Sequence, residues 1–140
     1  MHENDISEAV IGAAIEVHRV LGPGLLESVY EQALCHELHL RSLDFKRQQS
    51  VPISYKGIKL ATDLRLDLIV EEKVIVDLKA KDLLSPIDKP QLLTYLRLTD
   101  LRLGLIINFH SATLKSGIVR VVNNLKENPL RPSAVSASLR

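Results

Sequence analysis

The chain has one cysteine, no tryptophan and few aromatic residues, 4% in all. Its lone thiol, Cys35, excludes an internal disulfide and fits a reducing compartment, and the residue reads as a small core side chain on a helix. No apolar run approaches the roughly 20 residues of a membrane span, and the opening Met1-His-Glu-Asn-Asp has no signal-peptide character. A cytoplasmic protein without membrane contact is expected. An excess of one charge is also missing, with 18 Lys and Arg against 17 Asp and Glu, a net of +1. No global basic field attracts a polyanion, so any nucleic-acid contact must rest on local patches. Internal repeats, zinc-ligand spacing, a P-loop and a serine or cysteine triad are likewise absent.

What is present is a 140-residue chain with 46% hydrophobic residues, enough for one domain with one core. That domain is expected over residues 1–126. Pro129, Pro132 and a Ser/Ala mixture predict a flexible C-terminal tail over 127–140. Val10, Ala14, Val17 and Leu21 predict a helix over 7–21, capped by Ser7 or Asp5 and ended by Gly22-Pro23-Gly24. His18 sits at the edge of that stripe as a packed histidine. A second helix is predicted over 25–41, its stripe being Leu26, Val29, Tyr30, Ala33, Leu34, Glu37 and Leu38. Residues 45–55 alternate as a strand, with Pro52 marking an edge or bulge, and Ile58 starts the return toward Asp67. Lys46, Arg47, Lys56 and Lys59 form the densest basic cluster, of the kind that protects a solvated sheet edge. Asp88-Lys-Pro-Gln91 reads as a capping box opening a helix through Leu98. Leu103 to Phe109 reads as an inner strand, and Gly117 to Val122 as an edge strand or a short helix.

The segments 64–70 and 74–80 are strands that carry charges among aliphatic residues. Arg65, Asp67 and Ile69 share one face of the first, and Asp77 and Lys79 one face of the second. A two-residue turn would split Asp67 and Asp77 between faces. A three-residue loop, Glu71-Glu72-Lys73, pairs Val70 with Val74 and sets the acids opposite one another. That register also gathers Leu66, Leu68, Val70, Val74, Val76 and Leu78 on one side, so burial favours it. Two close carboxylates with an ammonium beside them suit a hard divalent cation, because buried charges must be paired or ligate a metal. An Asp-Lys ion pair on a half-exposed sheet face, with Asp67 solvated beside it, remains the alternative.

Asp67, ten residues, then Asp77-x-Lys79 on a hairpin resembles the PD-(D/E)XK nuclease superfamily. Gly24-Leu-Leu-Glu27-Ser-Val-Tyr30 resembles the signature of the small GxxExxY proteins within it. The runs 11–18, 21–24, 74–80, 91–96 and 104–109 are similar to that family as well, over about residues 5–125. The family mostly carries Glu at the position of Asp77 and a His near Asp88. The shorter acid retracts the carboxylate by about 1.5 Å, a bond length. The resemblance implies a restriction-endonuclease-like α/β sandwich, a mixed central sheet with two N-terminal helices on one side and the Gln91 helix on the other.

It also implies Mg²⁺-dependent, or Mn²⁺-dependent, hydrolysis of phosphodiester bonds in DNA or RNA. Asp67, Asp77 and the Leu78 carbonyl would hold the ion, with Lys79 positioning water. Glu27 at the start of the second helix becomes a further candidate ligand, although helix-dipole complementarity explains it equally well. Tyr30, on the same face, would hold Glu27, bond phosphate or serve structure. Gln91 and Tyr95, four apart on the third helix, resemble a pair that lines the site in the RecB-like branch. A homodimer is compatible with the sequence. The competing class is a non-catalytic nuclease-like module that binds a protein or nucleic-acid partner.

Overall fold

The computed structural model describes residues 1–126, and the segment 127–140 expected to be a tail lies outside the described residues. Its elements are α1 (Glu3–Leu21), α2 (Glu27–Leu40), β1 (Phe45–Val51), β2 (Ser54–Tyr55), β3 (Ile58–Lys59), β4 (Leu64–Val70), β5 (Val74–Lys79), α3 (Asp88–Thr99), β6 (Leu103–Asn108) and β7 (Ile118–Val122). A 3-10 turn over Leu114–Gly117 precedes β7. Five strands form one mixed sheet in the order β1-β4-β5-β6-β7, and β2 and β3 form a separate two-stranded sheet. Only β5 and β6 run parallel, because α3 carries the chain between them; every other neighbouring pair is antiparallel. Among the described residues no helix is long and apolar enough to cross a membrane.

The sheet separates two apolar layers. Val10, Ala14 and Val17 of α1 and Tyr30, Leu34 and Leu38 of α2 pack on Leu68, Val76, Leu78, Leu105 and Ile107. Leu92 and Leu96 of α3 pack on Ile75, Ile106 and Val121 on the opposite side. β6 is buried at every residue, as its unbroken apolar run requires between two helical layers. This is the restriction-endonuclease-like α/β arrangement expected.

Local details differ from the sequence reading, for physical reasons. Helix α1 begins four residues before Ser7: His2 is its N-cap, the ring Nδ1 accepting the Asn4 N–H at 3.0 Å. Buried Ile6 extends the stripe backward, and Ser7 turns its hydroxyl to the Asn4 carbonyl inside the helix. In α2 the buried stripe is Tyr30, Leu34, Cys35 and Leu38, whereas Leu26 and Val29 are exposed. The first strand stops before Pro52, whose missing N–H cannot extend a ladder, so β1 and β2 are separate strands; β3 and β4 are separate as well. Leu66 leaves the side of Leu68 and Val70 and joins the α3 layer, just beyond the last residue pair of β4 with β5. Asp88 is not the cap of α3. It is the first helical residue, and its carboxylate accepts the Ser85 N–H at 2.6 Å and pairs with Lys81 at 2.7 Å.

Helix α3 packs closely on the sheet at Gly104, where an added Cβ would lie 2.9–3.0 Å from the Leu92 side chain. Gly104→Ala is therefore expected to destabilise the fold by about 1–3 kcal/mol through overpacking against α3. Denaturant melts measure this, and an unchanged midpoint would show that α3 can shift freely.

Candidate functional site

Strands β4 and β5 pair as Leu68 with Val76, Ile69 with Ile75 and Val70 with Val74 around the three-residue loop 71–73. Glu71 and Glu72 supply the left-handed residues of that loop, with φ of 53° and 57°. Continued by one step, this register sets Asp67 opposite Asp77. The ladder changes character there, because the Asp67 carboxylate itself accepts the Leu78 N–H at 2.9 Å. On its other side β1 pairs with β4 from Arg47 and again from Gln49, skipping the residue between them. That residue, Gln48, has φ of 47° and donates its side-chain amide to Glu31. The sheet thus opens around Asp67.

A polar cleft of about 150 Å³ occupies the opening. Glu27, Arg65, Asp67, Asp77, Lys79, Gln91 and Tyr95 line it over an apolar floor of Leu66, Ile75 and Val76. The residues singled out on the second helix, the hairpin and the third helix are therefore neighbours in space. Lys79 Nζ lies 3.3 Å from Asp77 Oδ1. The Lys79 carbonyl accepts the Phe109 N–H, which ties the end of β5 to β6. Asn108 holds the next turn, its side chain accepting the Lys81 N–H at 3.1 Å and donating to the Lys81 carbonyl at 2.8 Å.

Tyr30 serves the loop and not the cleft. Its ring is fully buried, stacked on Phe109 with centroids 4.5 Å apart. Its hydroxyl donates to the Gly22 carbonyl at 2.5 Å and accepts the Leu25 N–H at 3.1 Å. Gly24 turns at φ of 97°, a region that favours glycine. The spacing from Gly24 through Glu27 to Tyr30 thereby has a mechanical meaning. Glycine turns the chain, tyrosine pins the turn, and the acid between them reaches the cleft. Glu31, one turn after Glu27, is buried and bonded by Arg47 at 2.8 Å, which fastens α2 to β1.

Burial pushes the Asp77 carboxyl up to about 6; Lys79 opposes the rise, and Asp67, within hydrogen-bonding reach, adds to it. Burial also works against the Lys79 ammonium, but Asp77, Asp88 and Glu27 outweigh it and hold the group above its ordinary value. Lys79 is thus a cation at neutral pH. Burial raises Glu27 and Tyr95 too, with Asp67 adding to the first and Asp77 to the second.

Two apposed carboxylates, one raised toward neutrality, form a donor set that fits a hard divalent cation completed by water. Among the described residues no group of three His, Cys, Asp or Glu converges on one point. Glu27 is exposed on the first turn of α2 and reaches the cleft from its rim. Arg65, two residues before Asp67 on β4, also lines the cleft and was not singled out from the sequence.

A sequence model of the PD-(D/E)XK nuclease superfamily matches residues 4–121. No curated protein and no solved structure matches the chain.

The Asp77 shift carries a stability consequence. Its folded pKa lies above its ordinary 3.8, so the folded protein binds the extra proton between about pH 4 and 6 and loses stability as pH rises through that window. Metal-free wild type is expected to fall relative to Asp77→Asn as pH rises from 4 to 7, with the variant at least as stable at pH 7. Melts at several pH values test this; a variant clearly less stable at pH 7 would show that the ion pair with Lys79 governs Asp77.

Proposed function

We propose that this chain, which belongs to the PD-(D/E)XK nuclease superfamily, hydrolyses phosphodiester bonds of nucleic acid in the cleft between β4, β5 and α3 with a divalent cation. Nucleases of this superfamily typically use divalent metals; Mg²⁺ is the ion assigned here, with Mn²⁺ as its substitute. The spacing of Gly24, Glu27 and Tyr30 supports a finer placement among the GxxExxY proteins. The observation that carries the reading is the apposition of Asp67 and Asp77 across the opened ladder, with Lys79 3.3 Å from Asp77.

Asp67 and Asp77 would hold the ion, together with the Leu78 carbonyl. The Lys79 carbonyl is committed to β6, so alternation turns the backbone of Leu78 toward β4, where its N–H meets Asp67. When bound, the ion would polarise the phosphoryl oxygen and lower the pKa of a coordinated water. Lys79, a cation held by its carboxylate neighbours, orients the attacking water and offsets charge on the phosphate; it has no spare lone pair for base chemistry while protonated. Tyr95 remains a neutral phenol that can donate a hydrogen bond, and Gln91 beside it offers amide donors and an acceptor. Glu27 can bind a water at the rim or meet the ion after a small side-chain movement.

The second reading, a non-catalytic module, draws on one observation: Asp77 is the shorter acid and is already ion-paired with Lys79. Cleavage assays on mixed DNA and RNA with Mg²⁺, Mn²⁺ or no metal separate the two. Metal-dependent cleavage is expected. Inactivity on all substrates together with no metal binding would establish the module.

Lys79→Ala is expected to lower cleavage by about a hundredfold or more, the scale of losing one charge-stabilising donor. Metal affinity by calorimetry should stay within about threefold, because a cation does not ligate a cation. A loss of activity accounted for wholly by weaker metal binding would contradict that division of roles.

A further inference from the structure

Strands β1 and β4 are antiparallel neighbours, with Val51 opposite Leu64. Two residues suffice to join such a pair, yet the chain spends residues 52 to 63 there and folds them into the β2–β3 hairpin. Every residue from Ser54 to Asp63 is exposed, including Tyr55 at 61%, Ile58 at 68% and Leu60 at 40%. The Leu60 N–H bonded to the Ile53 carbonyl at 2.8 Å extends the stem beyond the two strand pairs. The hairpin is an ordered projection that does not contribute to the core.

Its charges set it apart from the rest of the basic cluster. Lys46 is paired with Glu72 and Arg47 with Glu31, so both are neutralised by the fold. Lys56, Lys59 and, at the hairpin base, Arg65 have no carboxylate partner among the described residues. Lys56 instead lies over the Tyr55 ring, 5.4 Å from its centroid. The projection leaves the sheet beside the cleft, because Arg65 and Leu66, the residues of β4 that follow Leu64, both line it. At about 3.3 Å per residue, Arg65 is about 7 Å along the strand from Asp67, and the tip at Gly57 reaches at most about 23 Å beyond Leu64. Three cations without a carboxylate partner, against one acid, Asp63, therefore stand between the tip and the cleft, on a molecule with no other global attraction for a polyanion.

Resting on the nuclease reading above, we propose that the β2–β3 hairpin is a nucleic-acid arm. Lys56 and Lys59 hold phosphates of the strand that leaves the cleft, Arg65 holds the phosphate next to the scissile bond, and Tyr55 supports Lys56. Charge complementarity and the continuity of β4 from the arm to Asp67 select a polyanion as its occupant.

The test measures binding of fluorescein-labelled 20-nucleotide DNA and RNA, single-stranded and duplex, in Ca²⁺ over a range of salt, by fluorescence anisotropy. Lys56→Ala/Lys59→Ala is expected to weaken binding by about tenfold or more at low salt. It should also flatten the dependence of log affinity on log salt by about 1.4 for single strands and about 1.8 for duplex DNA, two phosphate contacts' worth. Lys115→Ala/Lys126→Ala, on other exposed lysines, should leave that slope unchanged, and circular dichroism melts verify that both variants fold. An arm variant with wild-type affinity and slope would overturn the proposal. So would intact nucleic-acid binding accompanied by lost self-association in sedimentation, which would make the exposed apolar residues of the arm a contact between copies of this chain. Hydrolysis of bis(4-nitrophenyl) phosphate by wild type is followed separately. Hydrolysis together with an unaffected arm variant removes the arm alone, whereas neither hydrolysis nor binding removes the nuclease reading and the arm with it.

Discussion

The site depends on the register of one hairpin. Leu68, Val70, Val74 and Val76 must face the same side to pack under α1 and α2, and the three-residue loop 71–73 is what allows it. Once those aliphatic residues are buried together, alternation leaves Asp67 and Asp77 no choice but to meet on the other side. A slip of one residue would expose the core and part the acids at the same time. Hydrophobic burial thereby overcomes a repulsion that the two carboxylates could not overcome unaided. Burial of Asp77 in that arrangement, with a smaller contribution from Asp67, pushes its carboxyl up to about 6.

Around that constraint the other elements act as braces. Asp67 takes the Leu78 N–H, where backbone pairing would otherwise continue, which fixes the carboxylate and opens the sheet together. Tyr30 pins the turn that delivers Glu27, Glu31 and Arg47 fasten α2 to β1, and Asn108 clamps the residues that follow Lys79. None of these four touches the cleft. Their chemistry is structural, and they decide where Glu27, Asp67 and Lys79 stand.

Much of this was legible in the sequence because it rests on periodicity. Strand alternation foretold the facing acids, and helical spacing placed Gln91 beside Tyr95. The layer arrangement was what the family resemblance implied. What was not legible depends on side-chain contacts that periodicity does not encode. Tyr30 was undecided until its hydroxyl met Gly22 and Leu25. Asp88 resembled a cap because the pattern from Asp88 to Gln91 is local, but Lys81 and Ser85 claimed its carboxylate. The face of α2 was misjudged by including Leu26 and Val29, which burial could exclude only once the packing of α2 against the sheet was known. Arg65 was overlooked because strand alternation by itself gives no sign of which cations remain unpaired.

The central claim is that Asp67 and Asp77 together form one site for a divalent ion. Calorimetric titration of Mn²⁺ into wild type, Asp67→Asn and Asp77→Asn tests it most directly. The account predicts one ion per chain in wild type and at least about a tenfold loss of affinity in each variant, since each removes one of the two carboxylates apposed across the hairpin. Wild-type affinity in both variants, or no binding by any of the three, would contradict it.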